Sequence, residues 1–439
     1  MHASLFTPAL VRLLVSLALI TFGSSAIYVV VVALPAIQAE FDINRADASL
    51  PYTATMIGFG IGGILMGRLA DRFGVMVPSL IGSVGMGLGY IAAAQATTLS
   101  GFVIAHGLLL GLLGSSAMFS PMIADISMWF NRRRGIAVAI CACGNYLAGA
   151  LWPPIVQPLL ETQGWRTTYT WAGIACLIAM IPLSMLLRSR APASKPTETR
   201  QSLPRIDGKP SSAAASIDAP TRKSGTLTVA RGQTASAGGP VGLPPTQLQA
   251  LICLAGLACC VAMAMPQVHI VAYCADLGFG VARGAEMLAL MLAFGIASRL
   301  LSGLICDRIG GVRTLLLGSA LQGLSLLLFL GFDSITSLFL ISALFGLFQG
   351  GIVPAYAIIV RENYPAEQAG VRIALAMTAT MLGMALGGWL SGRIFDFTGS
   401  YQAAFINGLG WNLVNIAIVV FLLMYRRGMR FGRPRAAAQ

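Results

Sequence analysis

The chain has 439 residues, of which 56% are hydrophobic and only 10% are charged, and its formal net charge is +13. A soluble protein of this length keeps polar groups at its surface, so this composition excludes a water-soluble fold and indicates a multi-spanning membrane protein. The positive charge is not a nucleic-acid signature, because the basic residues fall in loops between apolar runs, as the positive-inside rule describes.

Hydropathy windows of about 20 residues predict two sets of six membrane spans. The first run has too few residues before it for a cleaved leader, so we expect a helix there and not a signal peptide. The first set covers 10–37, 49–69, 76–96, 101–125, 135–158 and 168–187. The second set covers 247–273, 283–304, 313–332, 336–360, 371–394 and 402–425.

A polar segment, 188–246, separates two predicted bundles, 1–187 and 247–425, and a basic tail follows at 426–439. The segment is rich in Ser, Pro, Ala, Gly and Thr, a composition that cannot bury enough surface to fold alone, so we expect a flexible tether. Loop arginines concentrate on the side of both termini, which predicts cytoplasmic termini and tether in the cytoplasmic (inner) membrane.

The eight cysteines fall mostly inside apolar spans, without accompanying clusters of His, Asp or Glu. Neither metal-ligand spacing nor a disulfide framework is indicated. We therefore expect no metal, no cofactor and no catalytic residues, and the chain is not predicted to be an enzyme.

An internal repeat relates the two halves. The pattern G-x-x-x-D-R-x-G occurs at 67–74, after the second span, and at 303–310, after the eighth. Two equivalent six-helix halves are the simplest architecture, so the predicted fold is an all-α membrane protein of twelve helices in two pseudo-symmetric bundles. The repeat supplies the pairs Asp71–Arg72 and Asp307–Arg308 at helix ends, as gates or as simple topological anchors.

The apolar stretch 288–306 carries one charged residue, Arg299, and is followed by a short turn at Asp307-Arg308. A charged side chain at the centre of a membrane helix costs about 2.5–3.5 kcal/mol even on a lenient insertion scale. No acid lies in the same apolar span, and Glu286 is about 20 Å away at helical rise. We expect Arg299 to face a cavity and bind a carboxylate through its planar fork. The alternative is a structural arginine paired with backbone carbonyls.

These motifs make the chain similar to the major facilitator superfamily over essentially its full length. The sequence WFNRRRGIA at 129–137 resembles a signature of monocarboxylate transporters and oxalate:formate antiporters, and Arg299 followed by Gly303 resembles their carboxylate-binding arginine. The resemblance implies alternating access by a monomer. It also implies that Asp71 meets the eleventh helix near Gly370 and that Asp307 meets the fifth near Gly135, closing the cytoplasmic side.

Two departures from that family bear on the predicted substrate charge and on proton coupling. No basic residue occupies 373–390, where the resemblance places a lysine in oxalate:formate antiporters, so one arginine balances one carboxylate. Gly295 stands where proton-linked monocarboxylate transporters carry an aspartate. A proton partner therefore stays open: His106 or His269 could titrate in the useful range, and the substrate could bring its own proton.

Further candidates lie on the spans that the resemblance expects to line the pathway. Polar or aromatic residues there, each with core packing as the alternative, are Tyr28, Phe119, Asn145, Tyr146, His269, Gln349 and Tyr356. Arg134 is the candidate ion-pair partner of Asp125, whereas Arg132 and Arg133 are expected to contact anionic lipid. Prolines predict breaks at Trp152-Pro153-Pro154 and at Pro354.

Together these observations predict a secondary active transporter or facilitator for a small organic anion, with a monocarboxylate as the first candidate. Within transporters, the alternatives are an exchanger of related anions or a drug exporter. From a different class, the alternative is a membrane sensor with a transporter fold. The substrate, the direction of transport and the coupling ion stay open.

Overall fold

The structure of the protein is a computed structural model that describes residues 8–130, 134–189 and 243–431. Most of the predicted tether and the end of the basic tail lie outside the described residues. The same holds for Arg132, Arg133 and the side chain of Arg134.

Across the described ranges, twelve helices are long and apolar enough to cross a membrane, which confirms the predicted all-α membrane fold. The first six are α1 (Pro8–Phe41), α2 (Arg45–Phe73), α3 (Met76–Gln95), α4 (Leu99–Trp129), α5 (Arg134–Gln163) and α6 (Trp165–Arg188). The second six are α7 (Pro245–Asp276), α8 (Val281–Ile309), α9 (Gly311–Gly331), α10 (Ile335–Asn363), α11 (Ala366–Thr398) and α12 (Tyr401–Phe431).

Each half of the chain packs mainly with itself. In the first half α2 lies against α4 and α3 against α6; in the second, α7 lies against α11 and α12, and α9 against α12. The halves meet mainly along two helix pairs, α2 with α11 and α5 with α8, and α1 also contacts α7 and α8. A site shared by the two bundles lies among these helices.

Glycines bring α11 onto the backbone of α7. Gly383 and Gly387 are one turn apart, and a Cβ on Gly387 would lie 2.5 Å from the Val261 carbonyl oxygen. Lipid provides no hydrophobic drive for helices to associate, so this small-residue spacing stabilises the pair by letting the backbones touch.

Replacing Gly387 with valine is expected to destabilise the protein by about 1–3 kcal/mol, because the new side chain overpacks a backbone contact. The matched control is Gly410→Val, since no atom lies within 4 Å of the Cβ position of Gly410 on α12. Thermal unfolding in detergent, followed by tryptophan fluorescence, measures both variants. Equal melting temperatures for the two would contradict this account of the α7–α11 contact.

Two helices are broken, and the breaks differ from the predicted ones. The first helix is interrupted at Ser24, which separates a segment ending at Gly23 from one beginning at Ser25. Near this break the Thr21 carbonyl accepts a hydrogen bond from Trp152 Nε1 at 3.1 Å. The break in α10 lies at Gly350-Gly351. Pro354 follows in the first turn of the next segment, where a missing N–H costs little. The predicted break at Trp152-Pro153-Pro154 is wrong, because α5 continues through these residues.

Candidate functional site

Arg299 lies on α8 where the two bundles meet. Its Nη1 donates a hydrogen bond to the Ala142 carbonyl of α5 at 2.9 Å, and its Nε donates to the Gly350 carbonyl at the α10 break at 3.4 Å. The guanidinium carbon lies 4.3 Å from the centre of the Tyr146 ring. Because Ala142 and Tyr146 belong to the first bundle, Arg299 bridges the halves.

The charge of Arg299 has no acidic partner among the described residues. Of the two acids on α8, Glu286 pairs with Arg283 at 2.8 Å and Asp307 is exposed near the end of the helix. The Arg299 contacts are two backbone carbonyls and the Tyr146 side chain, none of which carries a negative charge. Arg299 therefore has features of both predicted roles. Backbone carbonyls hold its guanidinium, as the structural alternative expects, and no acid among the described residues balances its charge, as a carboxylate-binding site requires.

Glycines allow this close approach of α5 and α8. A Cβ on Gly295 would lie 2.7 Å from the Tyr146 ring, so a larger residue at position 295 would push this ring of α5 away from α8. Gly149 faces Leu292 of α8 and the ring of Tyr28. The Tyr28 hydroxyl donates to Asn145 Oδ1 at 2.7 Å. The structure therefore gathers four of the predicted binding residues along one seam: Arg299, Tyr146, Asn145 and Tyr28.

Three other predicted binding residues have partners elsewhere. Phe119 packs edge-on against Phe59, with ring centres 5.9 Å apart. Tyr356 is fully buried and its hydroxyl donates to Asn415 Oδ1 of α12 at 3.0 Å. His269 is fully buried, with Nε2 2.7 Å from the Gly388 carbonyl and Nδ1 3.2 Å from the Tyr401 hydroxyl. In the described structure none of the three contacts Arg299.

A buried amide pair lies beside the α10 break. Gln267 Nε2 donates to Gln349 Oε1 at 2.9 Å, whereas Gln349 Nε2 has no partner in the part of the chain that the structure describes. Gln349 precedes Gly350, the acceptor for Arg299 Nε. The predicted candidate Gln349 is therefore adjacent to the arginine through the backbone.

The predicted gating residues are exposed, and their two aspartates have no partners among the described residues. Asp71, Arg72, Asp307 and Arg308 are all exposed. Neither aspartate has a hydrogen bond or ion pair within the described ranges, and no atom lies within 4 Å of the Cβ positions of Gly135 and Gly370. Among the described residues the contacts that the family resemblance implies are not formed, and the gating role stays a prediction.

Asp125 has a partner that the sequence analysis did not single out. Its two oxygens accept hydrogen bonds from Arg12 Nε at 2.6 Å and Nη2 at 2.9 Å, and both side chains are buried. Arg12 also donates to the Ser189 carbonyl at the end of α6. The sequence did contain a signal, since Arg12, like Arg299, is a lone charge in an apolar span. The pairing predicted with Arg134 involves a side chain outside the described residues and stays a prediction.

The model of the Major Facilitator Superfamily matches residues 13–310 and 250–438, nearly the whole chain. The chain belongs to the Major Facilitator Superfamily. This protein is thus a multi-pass membrane transporter, as the twelve helices and the repeat predicted.

Named relatives of this transporter lie at low identity. It is 26% identical to the MFS-type transporter pynF of Aspergillus niger over 370 residues, 83% of this chain and 76% of that protein. It is 25% identical to monocarboxylate transporter 13 of Rattus norvegicus over 385 residues, 85% of this chain and 78% of that one. It is 26% identical to human monocarboxylate transporter 11 over 386 residues, 85% and 74% of the two chains.

A solved structure shares the fold. The chain superposes with a TM-score of 0.63 on the crystal structure of a bacterial homologue of the human lysosomal transporter Spinster, in an inward-facing and occupied conformation. The match covers 95% of each chain at 12% identity. At this identity the likeness concerns the fold alone.

Proposed function

We propose that this transporter moves a small organic anion, in first place a monocarboxylate, by alternating access. The observation that carries the proposal is the guanidinium of Arg299 between the two bundles, which has no acidic partner among the described residues. An arginine fork matches a carboxylate through two parallel hydrogen bonds, and such charge-assisted bonds are about twice as strong as neutral ones.

The residues around Arg299 suggest how the ligand is oriented. A carboxylate takes Nη2 and competes with the Ala142 carbonyl for Nη1, while the bond from Nε to Gly350 holds the guanidinium plane. Tyr146 covers one face of that plane. The linked Tyr28–Asn145 pair offers hydrogen-bonding groups for a polar substituent. One cation balances one carboxylate, so a dianion would be left half compensated.

The relatives named as monocarboxylate transporters support this substrate class. We further propose cytoplasmic termini in an inner membrane, from the loop arginines, so that Asp71 and Asp307 lie at the cytoplasmic ends of their helices. Closing the cytoplasmic end would bring Asp71 and Asp307 to the helix starts near Gly370 and Gly135. With Gly295 beside Arg299, no titratable group of α8 accompanies the substrate at this site, and any transported proton travels on the substrate or elsewhere.

A counterflow assay tests the proposal. Purified full-length protein in liposomes preloaded with unlabelled lactate or pyruvate should accumulate the labelled acid transiently, and Arg299→Ala liposomes should not. A relative named as an efflux protein, AgnL12 of Paecilomyces divaricatus, is 21% identical over 429 residues, which makes export of larger amphipathic compounds the second candidate. Flux of such compounds without flux of small acids would favour that alternative, and binding without any flux would favour a sensor.

Replacing Tyr146 with leucine should weaken monocarboxylate binding about 2- to 30-fold, because a desolvated cation–π contact is worth about 0.5–2 kcal/mol. Tyr146→Phe keeps the ring and is the matched control. Ligand-induced thermal stabilisation of the purified protein measures both dissociation constants. An equal loss of affinity in Tyr146→Leu and Tyr146→Phe would mean that the hydroxyl, and not the ring face, contributes to monocarboxylate binding.

A further inference from the structure

At the end of the bundle opposite the termini, α2 begins against α11. The Asp396 carboxylate of α11 accepts hydrogen bonds from the backbone N–H groups of Arg45 at 2.8 Å and Ala46 at 2.9 Å. These N–H groups belong to the first turn of α2, and the first N–H groups of a helix have no acceptor within that helix. A carboxylate of the second bundle thus caps a helix of the first, where the helix dipole favours negative charge.

The Arg45 side chain makes a second contact between the two bundles. Its Nη2 lies 3.1 Å from both oxygens of Asp276, the last residue of α7. The guanidinium carbon lies 5.0 Å from the centre of the Phe395 ring and 5.9 Å from that of Tyr401. Arg45 is only 8% exposed, so its charge is held mainly by groups of the second bundle.

Close backbone packing continues from these charges toward the membrane centre. A Cβ on Gly392 would lie 2.8 Å from the Arg45 carbonyl oxygen, and one on Gly388 would lie 3.1 Å from the Tyr52 ring. Thr53 Oγ1 donates to the Ala385 carbonyl at 3.0 Å. The α2–α11 seam is therefore closed at this end, whereas Asp71 at the other end of α2 is exposed.

We propose that Arg45, Asp276 and Asp396 form a charged latch that closes the end of the transporter opposite the termini. The three residues lie on three helices, and both acids belong to the second bundle while the arginine and the capped amides belong to the first. Alternating access requires α2 and α11 to separate here, so opening breaks all of these contacts together. The latch sets how often the empty protein opens at this end. This inference rests on the proposed alternating access, but it does not depend on which ligand Arg299 binds.

Pulsed electron–electron resonance on the full-length protein, without ligand, tests the latch. Spin labels replace Gln163 and Gln402, exposed positions at the latch end of α5 and α12, one in each bundle. Cys253, the one cysteine that is not buried, is changed to serine. Asp276→Asn and Asp396→Ala should each raise the population with a longer separation about fivefold, as loss of a partly buried helix-end or ion-pair contact would.

The matched control is Glu286→Gln. It removes one acidic charge at the same end of the molecule, but its partner Arg283 lies on the same helix. The control should leave the distances unchanged. Unchanged distances in both Asp276→Asn and Asp396→Ala, or an equal shift in the control, would overturn the latch.

A double-mutant cycle provides a second test, which measures whether Arg45 and Asp276 act on each other. Arg45→Gln combined with Asp276→Asn should shift the population less than the sum of the single changes, because each removes the same ion pair. Additive shifts would mean that the two charges do not act on each other, and would refute the latch. Ligand binding at Arg299 is measured separately, so failure here leaves the proposed substrate site intact.

Discussion

Replacing Arg299 with alanine is expected to weaken monocarboxylate binding roughly 30- to 1,000-fold, because losing a desolvated charge-assisted pair costs about 2–4 kcal/mol. Ligand stabilisation follows RT ln(1 + [L]/Kd), so the thermal shift that a monocarboxylate produces should vanish at the same ligand concentration. Thermal unfolding of the purified protein against mono- and dicarboxylates measures this directly.

Two further variants sharpen that experiment. Arg299→Lys keeps the charge but loses the planar fork, so it should bind with intermediate affinity. Arg393→Ala removes a guanidinium that stacks on Phe397 at the exposed end of α11, and should bind as tightly as the natural protein. Full stabilisation of Arg299→Ala by a monocarboxylate, or stronger stabilisation of the natural protein by dicarboxylates, would be incompatible with a single-cation site.

Replacing Asp125 with asparagine is expected to destabilise the protein by about 3–5 kcal/mol, because the buried Arg12 would lose its counter-charge. The side chains of Arg12 and Asp125 are only 4% and 7% exposed, so water cannot take the place of the lost partner. Unfolding in mixed micelles, followed by tryptophan fluorescence, gives the change in free energy.

Glu286→Gln is again the matched control, since its pair with Arg283 is about half exposed and should contribute less than about 1 kcal/mol. Changing both Arg12 to methionine and Asp125 to leucine should recover most of the stability, because apolar residues of similar size replace a buried pair at little cost. The account fails if Asp125→Asn unfolds like the control, or if the double variant is less stable than the single one.

The architecture could be predicted because hydropathy and the repeat act over whole helices. The predicted span 283–304, for example, lies inside α8, which extends beyond it at both ends because helices project past the apolar layer. Breaks were harder to predict, since they depend on neighbours. The break at Ser24 lies in the run Gly23-Ser24-Ser25, and Gly/Ser pairs are sites at which helices kink. The same kind of pair, Gly82-Ser83, lies in the unbroken α3, and the prolines of α5 do not interrupt their helix.

The site could be predicted only in part. Arg299 was identifiable because a lone charge in an apolar span is costly wherever it faces. Tyr146 and Tyr356 were indistinguishable in sequence, and only packing places one on the arginine and the other against Asn415. The latch joins residues 231 and 351 positions apart in the chain, and no local pattern links them.

The acceptors that hold Arg299, the carbonyls of Ala142 and Gly350, are main-chain atoms, and this bears on how such a carrier diversifies. The two positions differ in what they tolerate. A side-chain replacement at Ala142 leaves its carbonyl in place as long as α5 keeps its course, whereas a Cβ at Gly350 would lie 2.4 Å from the Gly295 carbonyl oxygen and would displace the break in α10. At the proposed site, changes at Tyr28 or Asn145 alter the polar groups offered to a ligand while both main-chain bonds to Arg299 persist.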